Sequence, residues 1–468
     1  MQESQKRLGN KVKIGPTTTH RLGLIATERI AKGQVILSLP CENNNDDTFP
    51  VLTVMTAKQV FQDVLPDSFD SWTGDAGLLA MLLLHHVAHD ANTPMPFRTA
   101  WLQALPTMEE MTHHPYFWSE ADQEVLQMSS TNKIYQRLDD MEEDFAWWKK
   151  QVLDVNRQRF PESVHDQPCF SWTGFQWAMA VIQSRSFFLD GALRCIPLLD
   201  MCNHDDAAEE IQTASAGGFF GSGGNKNAQL IADRNYEVGQ EVFCSYGPKS
   251  AADYLLEHGF CPEQCWKTAV SELTFELDPN DRFRDDKLDI LEFETYDQAP
   301  MDPVQTFDVV SSTSTGTTQT DGSPDPAMMQ FLRLCKLGST DAFLLESIFR
   351  KDVWGFMALP VSESNELAVV NTIAETCQRA LDEFNECADD RGPEVCKKLR
   401  QAETWALSKT IAFVQREKEA LDLKEYYQER RLKDLGLDSE WSPEDDDMVG
   451  DDLSFGQTRA PGGADYDW

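Results

Sequence analysis

The sequence predicts an α+β protein in which a β-rich unit is interrupted by a helical insertion and followed by an all-helical unit. Three observations carry this: strand-like alternation on both sides of a long helical stretch, a nearly all-apolar segment inside that stretch, and helical apolar spacing through the last third of the chain. At 468 residues the chain exceeds a single core of ordinary size, which points to two folded units.

Residues 1–11 read as a polar extension. From Gly23 to Pro40, GLIATERIAKGQVILSLP alternates apolar and polar residues around a turn at Lys32-Gly33, a strand–turn–strand pattern. AGLLAMLLLHHVAH, from Ala76 to His89, is apolar nearly all round and so predicts a buried helix. Helical texture continues to about Phe188, which places the insertion at about 45–180. Strand texture returns in ALRCIPLLDM, AQLIADRNY and QEVFCSY, broken by a Gly-rich loop at Gly217–Gly224, and the β-rich unit spans 12–270. A connecting segment, 271–325, follows. Within it, about 298–325 (with SSTSTGTTQTDGSPDP) lacks any apolar period and reads as a disordered loop. Val370, Ile373, Cys377, Leu381 and Phe384, then Leu407, Ile411, Val414 and Leu421, recur at helical spacing and set the helical unit at 326–436. Residues 437–468 read as a disordered acidic tail, with ten acidic residues and one Arg from Asp438 onward.

The charge balance narrows the function. Seventy-eight acidic against 41 basic residues give a formal charge of -37, which repels nucleic acid and anionic membranes and favours basic protein segments. There is no apolar run of membrane-spanning length, and the start MQESQKRLGNKVKIG lacks the apolar stretch of a signal peptide. Eleven cysteines, odd in number and scattered, fit reduced thiols. The expectation is a monomeric cytoplasmic or nuclear protein. His258, Cys261 and Cys265 are close in sequence, but no fourth ligand and no CxxC pair accompanies them, so no metal is expected.

Four segments place polar or permissive residues inside otherwise apolar strands: RLGL (Arg21–Leu24), SRSF (Ser184–Phe187), DMCNHD (Asp200–Asp205) and CSYGPKS (Cys244–Ser250). Their order and flanking text, with WLQALP, PYFWSEADQEVLQ, IPLLDMCNH, GQEVFCSYGPKSAADYLLEHGF, LPVSESNE and QREKEAL, resemble the SET-domain protein methyltransferases. The closer resemblance is to the branch that includes the plant Rubisco large-subunit methyltransferase. There a helical insertion splits the SET fold and a helical substrate-binding domain follows. The likeness runs from about Leu22 to about Tyr427.

This resemblance implies an S-adenosyl-L-methionine-dependent enzyme that methylates an exposed lysine of a non-histone protein. Catalysis is then mostly the alignment of an amine with a sulfonium methyl. The resemblance implies that backbone at Leu22, Gly23 and Leu24 borders the cofactor, where Gly allows close approach. Asn203 and His204 hold the cofactor, while Arg185 suits its carboxylate. Asp200, His258 and Phe260 complete that set. Tyr246 is the catalytic tyrosine, in an orienting and electrostatic role, since a phenol of ordinary pKa about 10 is a poor base near neutrality. Phe187, with Tyr246 and His258, lines the acceptor pocket, and its apolar wall favours a lysine stem over an imidazole.

Three positions depart from the family pattern. Arg21 stands where a Gly-x-Gly usually begins, and a left-handed backbone there would strain it. Ala251-Ala252 replaces a common Asn-Ala, and His258 stands where some relatives carry Tyr. Protein-histidine methylation and a catalytically degenerate SET protein acting as a binding module are the two alternatives.

Overall fold

The computed structural model describes residues 11–436 apart from 19, 43–50, 67–68, 70, 127–130, 216–225, 265–268, 294–299, 311–321 and 387–391. The expected acidic tail (437–468) and Gly-rich loop (217–224) lie outside the described residues.

In chain order the first strands are β1 (Val12–Gly15), β2 (Gly23–Ala26), β3 (Val35–Pro40) and β4 (Leu52–Thr53). After the helical stretch come β5 (Ser163–Val164), β6 (Gln167–Pro168), β7 (Ser186–Leu189), β8 (Ala192–Cys195), β9 (Asn203–His204), β10 (Gln212–Ser215), β11 (Lys226–Ile231) and β12 (Glu241–Cys244). They form small sheets ordered β1-β2-β12-β9, β10-β11-β3 and β4-β8-β7. The strand–turn–strand expectation needs one amendment. β2 and β3 are both strands, and Gly33 makes the turn at φ +80°, but the two strands join different sheets. Gly33 N–H donates to Ala232 O at 2.7 Å instead, fastening the turn to the end of β11.

The helical insertion is built around the helix Gly74–Asn92, whose residues from Gly77 to Leu84 are all buried. It packs against the helix Trp172–Arg185, so no face of its middle turns is left for solvent. Both helices join the strands in one apolar core.

A second core gathers residues from Leu273 onward. It begins with an antiparallel pair, β13 (Val270–Glu276) and β14 (Val304–Val310), in which Leu273 faces Phe307. This corrects the reading of 298–325 as a disordered loop. Phe307 and Val309 are alternate residues buried in the second core, so 304–310 is a strand. The pair precedes the unit 326–436, whose described residues are helical as expected, with Pro326–Cys335, Glu363–Glu386 and Glu394–Glu419 supplying most of this core. Glu366, wholly buried there, is paired with Arg333 at 2.5 Å and Lys424 at 3.2 Å, so the buried carboxylate is charge-compensated. The helix Glu394–Glu419 serves both cores: Cys396, Leu399, Ala402 and Ala406 pack into the first, Leu407 and Val414 into the second.

Candidate active site

β12 runs parallel to β9, with Phe243 beside Asn203 and Cys244 beside His204. This register brings an Asn-His pair alongside the strand that leads into Tyr246. Asn203 Nδ2 donates to Leu22 O at 2.8 Å and to Glu241 Oε1 at 2.7 Å, tying the starts of β2 and β12 together. Gly23 is required beside it, because a Cβ there would lie 2.4 Å from Glu241 Oε1 and 2.9 Å from Asn203 Nδ2. The Tyr246 N–H donates to His204 Nδ1 at 3.2 Å, so Nδ1 is an acceptor and the ring proton sits on Nε2, 2.9 Å from Asp206 Oδ1. The Tyr246 hydroxyl donates to Cys202 O at 2.9 Å.

A second group comes from the helices. Ser171 caps the helix Trp172–Arg185 by accepting from Gly174 N–H, and the helix ends on Arg185. Arg185 Nη1 donates to Asp200 O at 2.9 Å and lies 3.5 Å from the buried Asp200 carboxylate. Asp200 occupies a short turn of 3-10 helix, Leu199–Met201, entered through Leu198 at φ +75°. A left-handed backbone at a leucine costs about 1–2 kcal/mol, which the surrounding core must offset. Trp101 Nε1 reaches in from the insertion to donate to Asp200 Oδ2 at 3.0 Å. Ser250 caps the helix Ala251–His258, and Gly259 ends it at φ +77°, which delivers His258 and Phe260 to the same place.

Two cavities meet here. The first, of 470 Å³, is bordered by Leu22, Asn203, His204 and Phe260 on the strand side and by Pro106, Glu110, Met111 and His113 from the insertion. The second, of 370 Å³, runs along β7 and the segment Ser245–Lys249 and includes Phe187. Ser184, Arg185, Asp200, Tyr246 and His258 border both. Burial, with Cys244 and Cys202 close by, pushes the Tyr246 phenol well above its ordinary range, so it keeps its proton. Burial also raises the Asp200 carboxyl, against the pull of Arg185. Burial and then Lys249 push His258 down to about 3, so its ring is neutral. His258 Nδ1 contacts Ser184 O at 3.2 Å and must be the protonated nitrogen, leaving Nε2 without a hydrogen-bond partner among the described residues.

The sequence-named residues thus converge, with distinctions. Tyr246, Arg185, Asp200 and His258 stand at the junction; Leu22, Asn203, His204 and Phe260 border the first cavity, and Phe187 the second. Gly23 and Leu24, expected to border the cofactor, are both buried and line neither cavity; the Leu24 side chain packs in the core at 0% exposure. Arg21 lies outside the left-handed region, so the expected strain is absent. Ala251 and Ala252 open their helix with both side chains buried. Of the three residues weighed for a metal, Cys261 Sγ lies 3.7 Å from Ala251 O, His258 is turned to Ser184, and Cys265 lies outside the described residues. Trp101, Glu110, Met111 and His113 were not picked out by sequence; the only signal was WLQALP, which contains Trp101.

A profile of the SET domain matches residues 21–247, and one of the Rubisco LSMT substrate-binding domain matches residues 278–426. The chloroplastic fructose-bisphosphate aldolase lysine N-methyltransferase of Arabidopsis thaliana is 30% identical, over 89% of this chain and 82% of the relative. The chain belongs to the SET-domain methyltransferase family. A second SET-family relative, the chloroplastic ribulose-1,5-bisphosphate carboxylase/oxygenase large subunit N-methyltransferase of Nicotiana tabacum, is 29% identical over 90% of this chain and 83% of its own length. The actin-histidine N-methyltransferase of Danio rerio is 24% identical over 51% of this chain and 37% of its own. Among solved structures, the SET domain of LSMT bound to lysine and AdoHcy superposes with a TM-score of 0.68 at 25% identity, covering 96% of this chain and 97% of that one. Rubisco LSMT bound to AdoMet gives 0.66 at 25% identity, covering 94% and 95%. The chloroplastic relatives overturn the expectation of a cytoplasmic or nuclear protein.

The first cavity fits the SET family's methyl donor. Leu22 and Asn203 offer polar groups on the strand side, Arg185 offers a guanidinium for a carboxylate, and the aromatic Phe260 offers a surface for a purine.

Proposed function

We propose that the protein transfers a methyl group from S-adenosyl-L-methionine to the ε-amino group of an exposed lysine in a non-histone protein, within a plastid and as a monomer. The observation that carries this is the pair of cavities meeting at Tyr246, Arg185 and Asp200. A donor in one and an acceptor side chain in the other meet only at that junction. The plastid assignment rests on the chloroplastic relatives, and a protein partner suits a chain of charge -37 better than nucleic acid or a membrane surface.

The donor supplies an electrophilic methyl on a sulfonium. The residues supply alignment. Asn203 and Leu22 border the nucleoside end, and Arg185 receives the carboxylate. Tyr246 donates to Cys202 O and so turns oxygen lone pairs to the incoming amine. A buried phenol that holds its proton is a positioner, so the lysine proton leaves to water. Phe187 packs on the lysine stem. In this reading the helical unit, residues 326–436 with the strand pair before it, grips the substrate protein.

Histidine methylation is the rival reading, motivated by the actin-histidine relatives. The apolar Phe187 wall offers the nitrogens of an imidazole no polar partner, which supports lysine. The test is transfer of a labelled methyl to plastid proteins, followed by hydrolysis. Labelled methyl-lysine is expected; labelled methylhistidine would reverse the choice, and no transfer despite cofactor binding would favour a binding module.

A further inference from the structure

Helices leave their last carbonyls without partners, and cations near that end are favoured. The helix Pro96–Ala104 has no basic residue in its last turn. Its terminal carbonyls are met from more than eighty residues away: Arg21 Nη1 donates to Ala104 O at 2.7 Å and Nη2 to Leu105 O at 3.3 Å. The same guanidinium donates from Nε to Glu110 Oε1 at 2.7 Å, and Glu110 Oε2 accepts from Thr107 N–H at 2.9 Å. Arg21 therefore spends all three of its nitrogens on the segment 104–110. That segment is also held from below, where Trp177 Nε1 donates to Pro106 O at 2.9 Å.

The location gives the contacts their meaning. Pro106, Glu110, Met111 and His113 form the insertion's side of the donor cavity, while Leu22, next in sequence to Arg21, forms the strand side. Leu22 is itself fixed through its carbonyl by Asn203. Arg21 is thus the direct tie between the two walls. A glycine at this position would leave the Ala104 and Leu105 carbonyls to water and the Glu110 carboxylate without its cation.

We propose that Arg21 is a positioning residue for the methyl donor, capping the helix Pro96–Ala104 from outside and setting the width of the donor cavity. Arg21 itself borders the cavity, and with three of its five N–H donors committed to the far wall it acts through wall geometry. This rests on the reading of the 470 Å³ cavity as the donor site.

The test is titration calorimetry of the full chain with S-adenosylhomocysteine, comparing wild type, Arg21→Ala, Arg21→Lys and, as a control, Asn203→Ala. Arg21→Ala is expected to raise Kd roughly 10-fold, the effect of losing about one charge-assisted hydrogen bond. Arg21→Lys should fall between, because an ammonium is a point charge that cannot fork to two carbonyls. Steady-state kinetics should show a matching rise in KM for the donor, with kcat and KM for a lysine substrate unchanged. Hydrogen exchange at amides 104–111 should quicken in Arg21→Ala. An Arg21→Ala protein that is folded and binds with wild-type Kd, while Asn203→Ala loses binding, overturns the proposal and leaves the donor site standing. If Arg21→Ala does not fold, a wild-type Kd in Arg21→Lys overturns it equally. No binding by wild type overturns both.

Discussion

The Tyr246 hydroxyl donates to the Cys202 carbonyl at 2.9 Å. Cys202 is buried and its neighbour Asn203 pairs with β12, so the acceptor is as rigid as the sheet itself. The phenol oxygen is thereby fixed at the meeting point of the two cavities before any ligand arrives.

Tyr246→Phe should keep the ring and lose the fixed oxygen. Turnover is expected to fall at least ~10-fold, because an interaction used in the transition state is removed. Affinity for S-adenosylhomocysteine should stay within about 2-fold of wild type. Equal losses in affinity and turnover would show that Tyr246 serves ground-state binding instead.

Asn203→Ala removes the donor to two part-buried acceptors at once, Leu22 O and Glu241 Oε1. Donor binding should weaken by about 1–3 kcal/mol. Gly23→Ala should mimic it, since the new methyl would displace Asn203 Nδ2 from 2.9 Å. Calorimetry on both variants decides, and unaltered affinity in Asn203→Ala would remove that residue from the site.

Trp101→Phe removes the donor to the buried Asp200 Oδ2 while preserving most of the ring volume. A loss of about 1–3 kcal/mol in urea unfolding is expected from the stranded carboxylate. Turnover should fall as well, because Asp200 O and its carboxylate hold Arg185. Unchanged stability would mean that the indole contributes packing alone.

His86, His114 and His258 are each held down to about 3, with burial the leading cause, against 6.5 when free. Their folded values are depressed, so the native state is favoured by their neutrality above 6.5 and loses that support as pH falls toward 3. Each should cost about 1 kcal/mol of stability by about pH 5.5. The raised carboxyls of Asp144 and Asp200 act with the opposite sign and offset part of this loss as pH falls through their folded values, so the net fall between about pH 7 and 5.5 is smaller than the histidine sum. Urea unfolding at the two pH values measures it; equal stabilities would mean that these rings already carry protons or are hydrated.

The features legible in the sequence are those written in short windows. The helix at 74–92 announces itself by apolar residues on every side, and the helical unit by its period. Asn203, His204 and Tyr246 were legible because they sit in collinear segments beside strands. β14 was not, because VQTFDVV abuts a polar stretch and finds its partner only across an intervening helix, Arg284–Phe293. Trp101 and Glu110 were hidden for a similar reason. Their roles depend on Asp200 and Arg21, about ninety to a hundred residues away, and no local pattern encodes such a meeting.

The helix Glu394–Glu419 spans both cores, and its apolar residues divide between them along its length. Severing the chain ahead of it would strip Cys396, Leu399, Ala402 and Ala406 from the catalytic half and leave a greasy trough where they lay. The catalytic half is consequently not a portable module. Heat should melt the two halves in one cooperative transition.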